Sequence, residues 1–292
     1  MRVLVTGANG MLGIDLCALL EAEGHEVIRT DVGVRDGVIV KPWEALDITD
    51  TPAVSRCLLG HQPDAVVHGA AYTDVDGCEA NRDLAFDVNS SGAANVARVA
   101  KRQGARLLFL STDYVFDGTK MTPYTTDDAR SPRSVYGQSK AEAEVQLGQI
   151  LPECCTVRTS WLFGTDGKCF PDTILKLAAS RPQLEVVGDQ RGSPTYSVDL
   201  ARALIQLCRQ GASGVVHVTN RGECSWYEFA REIVAREGLN TVVHETTSDR
   251  FVRPAERPKY SVLSPESLQK RGIEMPEWRD ALQQYLAERV SK

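Results

Sequence analysis

The sequence lacks any long apolar segment, and this limits where the protein can act. No run of residues approaches the roughly 18 apolar residues that a membrane-spanning helix needs. The opening segment MRVLVTGANG places only a few apolar residues before a glycine-rich turn, whereas a secretory signal needs a longer apolar stretch. The sequence therefore predicts a cytoplasmic protein with no membrane partner.

Cationic residues are also scarce. Lys and Arg number 33 against 39 Asp and Glu, which gives the 292-residue chain a formal net charge of −6. Proteins that bind nucleic acids or anionic membranes carry an excess of positive charge on their surface. The composition therefore argues against a nucleic-acid partner, although it does not exclude a local basic pocket for a phosphate group.

The 8 cysteines lack the spacing of a metal site or a disulfide framework. They lie at positions 17, 57, 78, 154, 155, 169, 208 and 224, with no CxxC pair and no Cys/His cluster of ligand spacing. A chain of this length buries enough apolar surface to fold without disulfides. We expect buried, reduced thiols and no bound metal.

Short apolar runs alternate with helical patterns through the first half of the chain. The first helix follows from an apolar face at Leu12, Leu16, Leu19 and Leu20. Further patterns predict helices at about 84–101 and 135–149 and strands at 2–6, 25–29, 65–68, 106–111 and 155–160. Strands that alternate with helices of this length form a parallel sheet covered on both faces. The predicted fold class is therefore α/β, a doubly wound parallel sheet of the Rossmann type.

The alternation loosens after Trp161, where seven prolines separate shorter elements. Amphipathic helices are predicted at about 199–209, 226–236 and 277–289. We expect a first domain at 1–158 and a smaller second domain at 159–292, with parts near 195–218 packing back on the first.

A glycine-rich turn joins the first predicted strand to the first helix. In VLVTGANGMLG, Gly7 permits the tight turn, Gly10 lets the backbone approach a pyrophosphate, and Gly13 allows close packing of helix and strand. The helix start, at Met11 and Leu12, offers free N–H groups to the phosphates. In this context the turn predicts a dinucleotide site, and its GxxGxxG spacing favours the short-chain dehydrogenase/reductase branch.

Residues near the end of the second strand bear on the choice of cofactor. Asp31 can accept hydrogen bonds from the adenosine ribose hydroxyls, which favours NAD. Arg29 and Arg35 can instead neutralise the 2′-phosphate of NADP. The sequence leaves NADH and NADPH both open.

A second motif predicts proton-transfer chemistry. Tyr136 and Lys140 in YGQSK lie one helical turn apart and so share a face. Tyrosine has a pKa of about 10, and a nearby ammonium group lowers it by stabilising the tyrosinate. Thr112, in the predicted strand end LFLSTD, can orient the tyrosine or a substrate carbonyl. We therefore predict Thr112, Tyr136 and Lys140 as the catalytic residues.

The chain resembles the dTDP-4-dehydrorhamnose reductase family of extended short-chain dehydrogenases/reductases. The motifs that carry the resemblance run through nearly the whole chain: TGANGMLG, LDIT, PDAVVHGAAYTDVD, STDYVFDG, SPRSVYGQSK, RTSWLFG, DQRGSPT and RPKYSVL. The resemblance implies an NAD(P)-binding first domain and a substrate-binding second domain. It also implies that Asp47 and Ile48 flank the adenine, that Ala70, Ala71 and Tyr72 line the cofactor, and that Asn89 has a structural or proton-relay role.

The same resemblance implies where a nucleotide-sugar substrate binds and what happens to it. The candidates are Asp113, Tyr114, Trp161, Gln190 and Arg257, although Trp161 has a core role as its alternative and Arg257 a surface one. The family often has Asn-Phe where this chain has Cys169-Phe170, and Asn where it has Tyr260. The implied reaction is reduction of the C4 ketone of a 4-keto-6-deoxy sugar, giving dTDP-L-rhamnose. We expect the enzyme to be a homodimer.

Three other activities are compatible with parts of this pattern. A 4,6-dehydratase is disfavoured because Tyr114 follows Asp113 where the dehydratases have Glu. A C4-epimerase needs only the catalytic residues and a tightly held NAD. A non-catalytic, NADP-binding regulatory subunit like the β subunit of methionine adenosyltransferase can keep the same residues.

Overall fold

The computed structural model describes residues 1–33 and 41–290. Within these residues most strands are short, as expected for strands buried in the middle of an α/β fold. Their bounds are β1 Arg2–Thr6, β2 Glu26–Asp31, β3 Glu44–Ala45, β4 Ala65–His68, β5 Arg106–Thr112, β6 Cys155–Thr159, β7 Leu162–Phe163, β8 Gln183–Val187, β9 Arg191–Gly192, β10 Thr195–Tyr196, β11 Gly214–His217, β12 Cys224–Ser225 and β13 Val242–Thr246.

Seven of these strands form one parallel sheet in the order β11-β6-β5-β4-β1-β2-β3. The register is continuous across its centre, where Val3 of β1 pairs with Val27 on one side and Ala65 on the other. The strand order reverses beside β1, which is where ligands bind in sheets of this kind. The predicted doubly wound parallel fold is confirmed.

Helices cover both faces of this sheet. Their bounds are α1 Met11–Ala22, α2 Thr51–His61, α3 Val75–Ala80, α4 Arg82–Phe86, α5 Ala93–Gln103, α6 Val135–Ile150, α7 Phe170–Ala178, α8 Ser197–Gln210, α9 Trp226–Arg236, α10 Glu266–Gln269 and α11 Trp278–Val290. No helix within the described ranges is long and apolar enough to cross a membrane.

Side chains of successive sheet residues enter two separate cores. Val3 and Val5 pack with Leu16 of α1 and Leu204 of α8 on one face, while Leu4 packs with helices α2 and α5 on the other. Successive strand residues point to opposite faces, so a strand with both faces covered is apolar throughout. This explains why the first strand reads as a continuous apolar run.

The segment predicted as a helix at 84–101 is helical throughout, but it is not a single α-helix. The segment instead contains α4, a π-helical stretch at Asp87–Gly92 and then α5. The wider turn carries the buried Asn89, whose amide bonds to the Tyr72 backbone and to Ser139. π-Helical turns are frequent at functional sites. The one here places Asn89 where its amide joins α6 to the loop after β4.

The second half of the chain contributes to both the sheet and a separate core. Strand β11 extends the sheet beside β6, and α8 packs against α1. A further core gathers Phe163, Tyr196, Phe229, Trp278 and Tyr285 around α7, α9 and α11. All eight cysteines are buried and free, as the sequence predicts.

Candidate active site

The turn after β1 has a backbone path that only glycine fits. Gly7 has a φ of +70°, and a Cβ there would lie 2.8 Å from the Ala70 nitrogen. A Cβ on Gly13 would lie 2.2 Å from the Gly7 carbonyl oxygen. Gly10 is the N-cap of α1 and provides no capping side chain. The first N–H groups of α1 are therefore available to an anion at this turn.

A cavity of about 790 Å³ lies above this turn, at the carboxyl ends of the parallel strands. Its walls include most of the residues that the sequence assigns to the site. They are Gly7, Gly10, Met11, Leu12, Gly13, Asp31, Asp47, Ile48, Ala70, Ala71, Thr112, Asp113, Tyr114, Tyr136, Lys140 and Trp161. One cavity thus brings together the glycine turn and the predicted catalytic residues.

Three predicted residues lie outside the cavity walls. Tyr72 packs with Cys78 and Tyr136 behind the wall. Gln190, at the end of the loop after β8, is also absent from the lining. The Arg257 guanidinium bonds bidentately to Asp76 on α3, with both Nη–Oδ distances 2.9 Å. Two N–H groups of Arg257 thus bind a carboxylate of the protein, and its contact with the substrate stays a prediction.

The end of β2 offers a carboxylate to the cavity. Asp31 Oδ2 accepts a hydrogen bond from the Asn9 N–H at 2.9 Å, and Oδ1 accepts one from the Val32 N–H at 2.8 Å. These two bonds fix the carboxylate beside the glycine turn. Arg29 instead points to Glu21, with Nη1 and Oε1 2.6 Å apart, so it is not free to meet a 2′-phosphate. Arg35 lies outside the described residues.

The loop after β3 forms another part of the wall. Asp47 is exposed, and its Oδ1 accepts hydrogen bonds from the N–H and the hydroxyl of Thr49. Ile48 is buried, and its side chain fills the space above Gly92 so closely that a Cβ there would lie 2.8 Å away. Asp47 and Ile48 therefore present one polar and one apolar side chain to the cavity.

Tyr136 and Lys140 reach the cavity from the start of α6. Ser134 caps this helix by accepting a hydrogen bond from the Gly137 N–H at 3.2 Å. A Cβ on Gly137 would lie 2.2 Å from the Tyr114 carbonyl oxygen, so glycine lets the helix approach the end of β5. The rings of Tyr114 and Tyr136 meet edge to face at 5.7 Å.

Thr112 and Asp113 form the polar end of β5. The Thr112 hydroxyl donates to Asp113 Oδ1 at 3.0 Å and accepts a hydrogen bond from the Tyr114 N–H at 3.2 Å. Asp113 is buried, and burial raises its pKa to about 6, against the opposing effect of the Ser261 and Thr112 hydroxyls. A buried carboxyl thus lies next to Thr112.

Burial keeps the proton on Tyr136. It raises the tyrosine pKa, and the Asp113 charge raises it further, whereas the Thr112 hydroxyl lowers it. The lowered pKa that the sequence predicts from Lys140 concerns the site with its cofactor and stays a prediction, whereas in the chain by itself desolvation disfavours the tyrosinate. A protonated tyrosine is the form that can donate a proton.

Lys140 lies in an apolar position. Burial lowers its pKa to about 7, although the charge of Glu144 acts in the other direction. Its Nζ lies 4.1 Å from the centroid of the Phe109 ring, which stacks on His68. Burial lowers the His68 pKa to about 3, so that imidazole is neutral.

A buried ion pair that the sequence analysis does not single out supports these residues from behind. Glu144, one turn after Lys140 on α6, bonds to Arg158 of β6 with Nη2–Oε2 and Nε–Oε1 distances of 2.6 and 2.9 Å. Ser111, adjacent to Thr112, donates to the same carboxylate at 2.6 Å. In the sequence, the one sign of this role for Glu144 is that it follows Lys140 by four residues and so shares its helix face. The cluster holds α6 against β5 and β6.

The opposite wall is aromatic. Trp161 stacks on Trp226 with ring centroids 3.4 Å apart and planes within 6°. Its φ of +46° is unusual for a residue other than glycine. A Cβ on Gly192 would lie 2.5 Å from the Trp161 ring. Trp161 is therefore held by the second core while it also lines the cavity.

Comparison with known proteins extends the similarity beyond the site. The family model described as the RmlD substrate binding domain matches residues 1–291. The spore coat polysaccharide biosynthesis protein SpsK of Bacillus subtilis (strain 168) is 42% identical over 290 residues, which cover 99% of this chain and 98% of that protein.

Two solved structures are similar over their full length. A dTDP-4-dehydrorhamnose reductase from Clostridium acetobutylicum ATCC 824 is 40% identical, with a TM-score of 0.93 and coverage of 100% of both chains. One from Bacillus anthracis str. Ames, in complex with NADP, is 36% identical, with a TM-score of 0.91 and coverage of 98% of this chain and 99% of that one. The likeness thus includes both the sheet and the second core.

Proposed function

The chain belongs to the dTDP-4-dehydrorhamnose reductase family, and from this premise we propose that it reduces the C4 ketone of a nucleotide-linked 4-keto-6-deoxy sugar. The proposed reaction converts dTDP-4-dehydrorhamnose to dTDP-L-rhamnose with NADH or NADPH. The observation that carries the proposal is the meeting of Thr112, Tyr136 and Lys140 with the glycine turn in one cavity.

The cavity fits a nicotinamide dinucleotide at its glycine end. The lack of room for a Cβ at Gly7 and Gly13 keeps the backbone close around the start of α1. The N–H groups of Met11 and Leu12 would hold the pyrophosphate, and the Asp31 carboxylate would accept hydrogen bonds from the adenosine ribose. When bound, the reduced dinucleotide supplies a hydride to the substrate carbonyl carbon.

The protein's own part in the reaction is to handle the developing charge on the carbonyl oxygen. Tyr136 keeps its proton in the buried site and donates it to that oxygen. The Thr112 hydroxyl, which donates to Asp113 Oδ1 in the free chain, would turn to donate to the same oxygen. The Lys140 ammonium, one turn along α6, stabilises the tyrosinate left behind. Because burial brings the lysine pKa to about 7, this support weakens as the pH rises above neutrality.

On the substrate side we propose a smaller set of contacts than the sequence predicts. Asp113, Tyr114 and Trp161 line the cavity and are proposed to contact the sugar. Gln190 stays a prediction without a wall position to support it. Arg257 is bound to Asp76, so we propose it as an anchor of the loop that precedes it, and contact of its remaining N–H groups with the nucleotide diphosphate stays a prediction.

The same site must be weighed against a C4-epimerase and a regulatory subunit. The relatives named above include two reductases, one of them in complex with NADP, and this favours net reduction. A cofactor in free exchange distinguishes a reductase from an epimerase, which retains its NAD. A regulatory subunit would bind NADP but would turn over no keto sugar.

We extend the proposal to the organisation of the chain. The division into a dinucleotide-binding unit at 1–158 and a substrate-binding unit at 159–292 is supported by the separate core around α7, α9 and α11, with α8 and β11 belonging to the first unit. A homodimer, a cytoplasmic location and the absence of a nucleic-acid partner stay predictions from the sequence.

The test is a direct assay. The protein is mixed with dTDP-4-dehydrorhamnose and NADH or NADPH, and the absorbance of the reduced nicotinamide is followed while the sugar nucleotides are separated. Stoichiometric cofactor oxidation with formation of dTDP-L-rhamnose is expected. Interconversion of C4 epimers without net oxidation would establish the epimerase, and binding of NADP without turnover of any keto sugar would establish the regulatory subunit.

A further inference from the structure

A cluster of three different metal-ligating side chains lies at the edge of the main sheet, near β3. It consists of Glu44 on β3 and of Cys57 and His61 on α2, and we call it the edge cluster. One ligand atom from each residue lies within 4.8 Å of the other two. Cys57 and His61 are four residues apart on α2, so they share a helix face, and that face is turned toward Glu44.

We propose that the edge cluster binds one divalent transition-metal ion, with Zn²⁺ as the best match to its donors. A thiolate, an imidazole and a carboxylate are all established zinc ligands, at metal distances of about 2.3, 2.0 and 2.1 Å. In a tetrahedral site these distances place neighbouring ligand atoms about 3.3–3.6 Å apart. The three ligand atoms now lie within 4.8 Å of one another, so small side-chain movements would bring them to these separations.

The pair already in contact shows how small the movement is. His61 Nε2 and Glu44 Oε2 lie 2.6 Å apart and share a hydrogen bond. Opening this pair by about 1 Å makes room for the ion between the two atoms. Both side chains are partly exposed, at 38% and 47%, which gives the ion an entry path and leaves a fourth position for water.

Charge balance also suits a divalent ion. With His61 neutral, the Glu44 carboxylate and a Cys57 thiolate together carry two negative charges. A cysteine thiol must lose its proton to bind a metal ion. Metal binding therefore forms an S–metal bond and releases one proton to solvent. Arg2 donates to the His61 carbonyl oxygen at 2.8 Å and so places a cation at the end of α2.

The edge cluster is separate from the reaction that we propose. None of its three residues lines the cavity, although Leu46, two residues after Glu44, does. The ion would brace β3 against α2 and would take no part in hydride transfer. The inference also departs from the sequence, which predicts no metal, because Glu44 joins the two helical residues only in the folded chain.

The test uses the full chain after treatment with a chelator. Co²⁺ is added as a spectroscopic probe and Zn²⁺ is then titrated by calorimetry, with the thermal unfolding midpoint measured in parallel. We expect one equivalent of metal, a thiolate-to-cobalt absorption band and a higher midpoint with Zn²⁺. Cys57→Ser should abolish the band, and His61→Ala and Glu44→Gln should each weaken Zn²⁺ binding at least 10-fold.

The matched control is Cys154→Ser, which changes another buried cysteine and should bind like the unchanged chain. Circular dichroism of each variant without metal shows whether it has folded, and His61→Ala, at a half-exposed position, keeps the test valid if Cys57→Ser does not fold. A band that persists in Cys57→Ser overturns the proposal. Binding that stays equal in all variants, or that occurs only at millimolar Zn²⁺, means an adventitious ion only and overturns it as well.

Discussion

The two ends of the cavity are built differently. The proposed cofactor half, which consists of the glycine turn, Asp31, Thr112, Tyr136 and Lys140, takes its residues from local motifs at the ends of β1, β2 and β5 and at the start of α6. The proposed substrate half includes Trp161, which lines the cavity and packs against Gly192 and Trp226, residues from segments far apart in the chain. Trp161 is held there by stacking on Trp226.

This difference shows two ways to position a side chain. In the cofactor half, backbone hydrogen bonds of the sheet and the start of a helix fix each residue, and Glu144 reinforces them from behind. In the substrate half, one aromatic contact holds a residue at a φ of +46°, a backbone conformation that costs about 1–3 kcal/mol. We expect substitutions in the cofactor half to affect folding and chemistry, and substitutions in the substrate half to affect substrate binding.

The largest effect is expected from Glu144→Gln, which tests how far the cofactor half depends on its buried ion pair. Burial alone would raise the Glu144 pKa, but Arg158 lowers it, so the residue is a carboxylate at neutral pH. Its loss leaves the Arg158 charge buried and unpaired, which should lower the free energy of unfolding by about 3–5 kcal/mol. Chemical denaturation measures this. Glu142→Gln, exposed on the same helix, is the control and should change it by about 0.5 kcal/mol or less.

Tyr136→Phe should separate chemistry from binding in the cofactor half. The ring remains but the proton donor is lost, so we expect kcat to fall about 10²-fold or more while cofactor affinity is kept. Lys140→Met should reduce both kcat and the affinity for the cofactor. Steady-state kinetics and a binding titration give the two values, and unchanged turnover in Tyr136→Phe would remove this residue from the mechanism.

Asp113→Asn should stabilise the protein at neutral pH. The Asp113 pKa rises from 3.8 to about 6 on folding, so between these values the folded chain binds a proton that the unfolded chain has released. Stability therefore falls as the pH rises through this window. The variant should be more stable by about 2–3 kcal/mol at pH 7 and equal to the unchanged chain near pH 3.

A control with the opposite sign is available for this pH effect. A hydrogen bond from Tyr124 lowers the pKa of Asp117, so Asp117→Asn should destabilise the protein at pH 7 and not stabilise it. Thermal unfolding across the pH range compares the two. A uniform effect of Asp113→Asn at every pH would mean that its burial does not hold the proton.

Trp226→Ala should act on the substrate half alone. Without its stacking partner, Trp161 loses a contact worth about 0.5–1.5 kcal/mol beyond its buried area and can leave its strained conformation. We expect the KM for the sugar nucleotide to rise about 10-fold with kcat nearly unchanged. Trp226→Phe keeps an aromatic face and should restore most of the affinity. A loss confined to kcat would contradict the proposed division between the halves.

The smallest effect concerns the cofactor preference. Removing the Asp31 carboxylate takes away its repulsion of a 2′-phosphate, so Asp31→Ala should shift the ratio of kcat/KM values toward NADPH by about 10-fold or less. Asp47→Ala, in the same cavity wall, should leave the ratio unchanged. If both variants keep the original ratio, Asp31 is not the discriminating residue.

Much of the cofactor half follows from the sequence because its signals are local. The apolar runs and helical periods predict the parallel sheet, and the spacings of Gly7, Gly10 and Gly13 and of Tyr136 and Lys140 predict which side chains share a turn or a face. The predicted strand at 65–68 and helix at 226–236 agree with the structure at both ends. Such patterns repeat every two to four residues, so they need no knowledge of distant contacts.

Only the tertiary structure decided which distant residues meet. Nothing in the local sequence pairs Trp161 with Trp226, Arg257 with Asp76, or Glu44 with the Cys57–His61 face of α2. Likewise, burial and not sequence spacing set the protonation of Tyr136 and Asp113. Local spacing determines which side chains share a helix or a strand. The contact partners of a side chain and its electrostatic environment are decided when separate elements pack, because the free energies that select them come from contacts between elements.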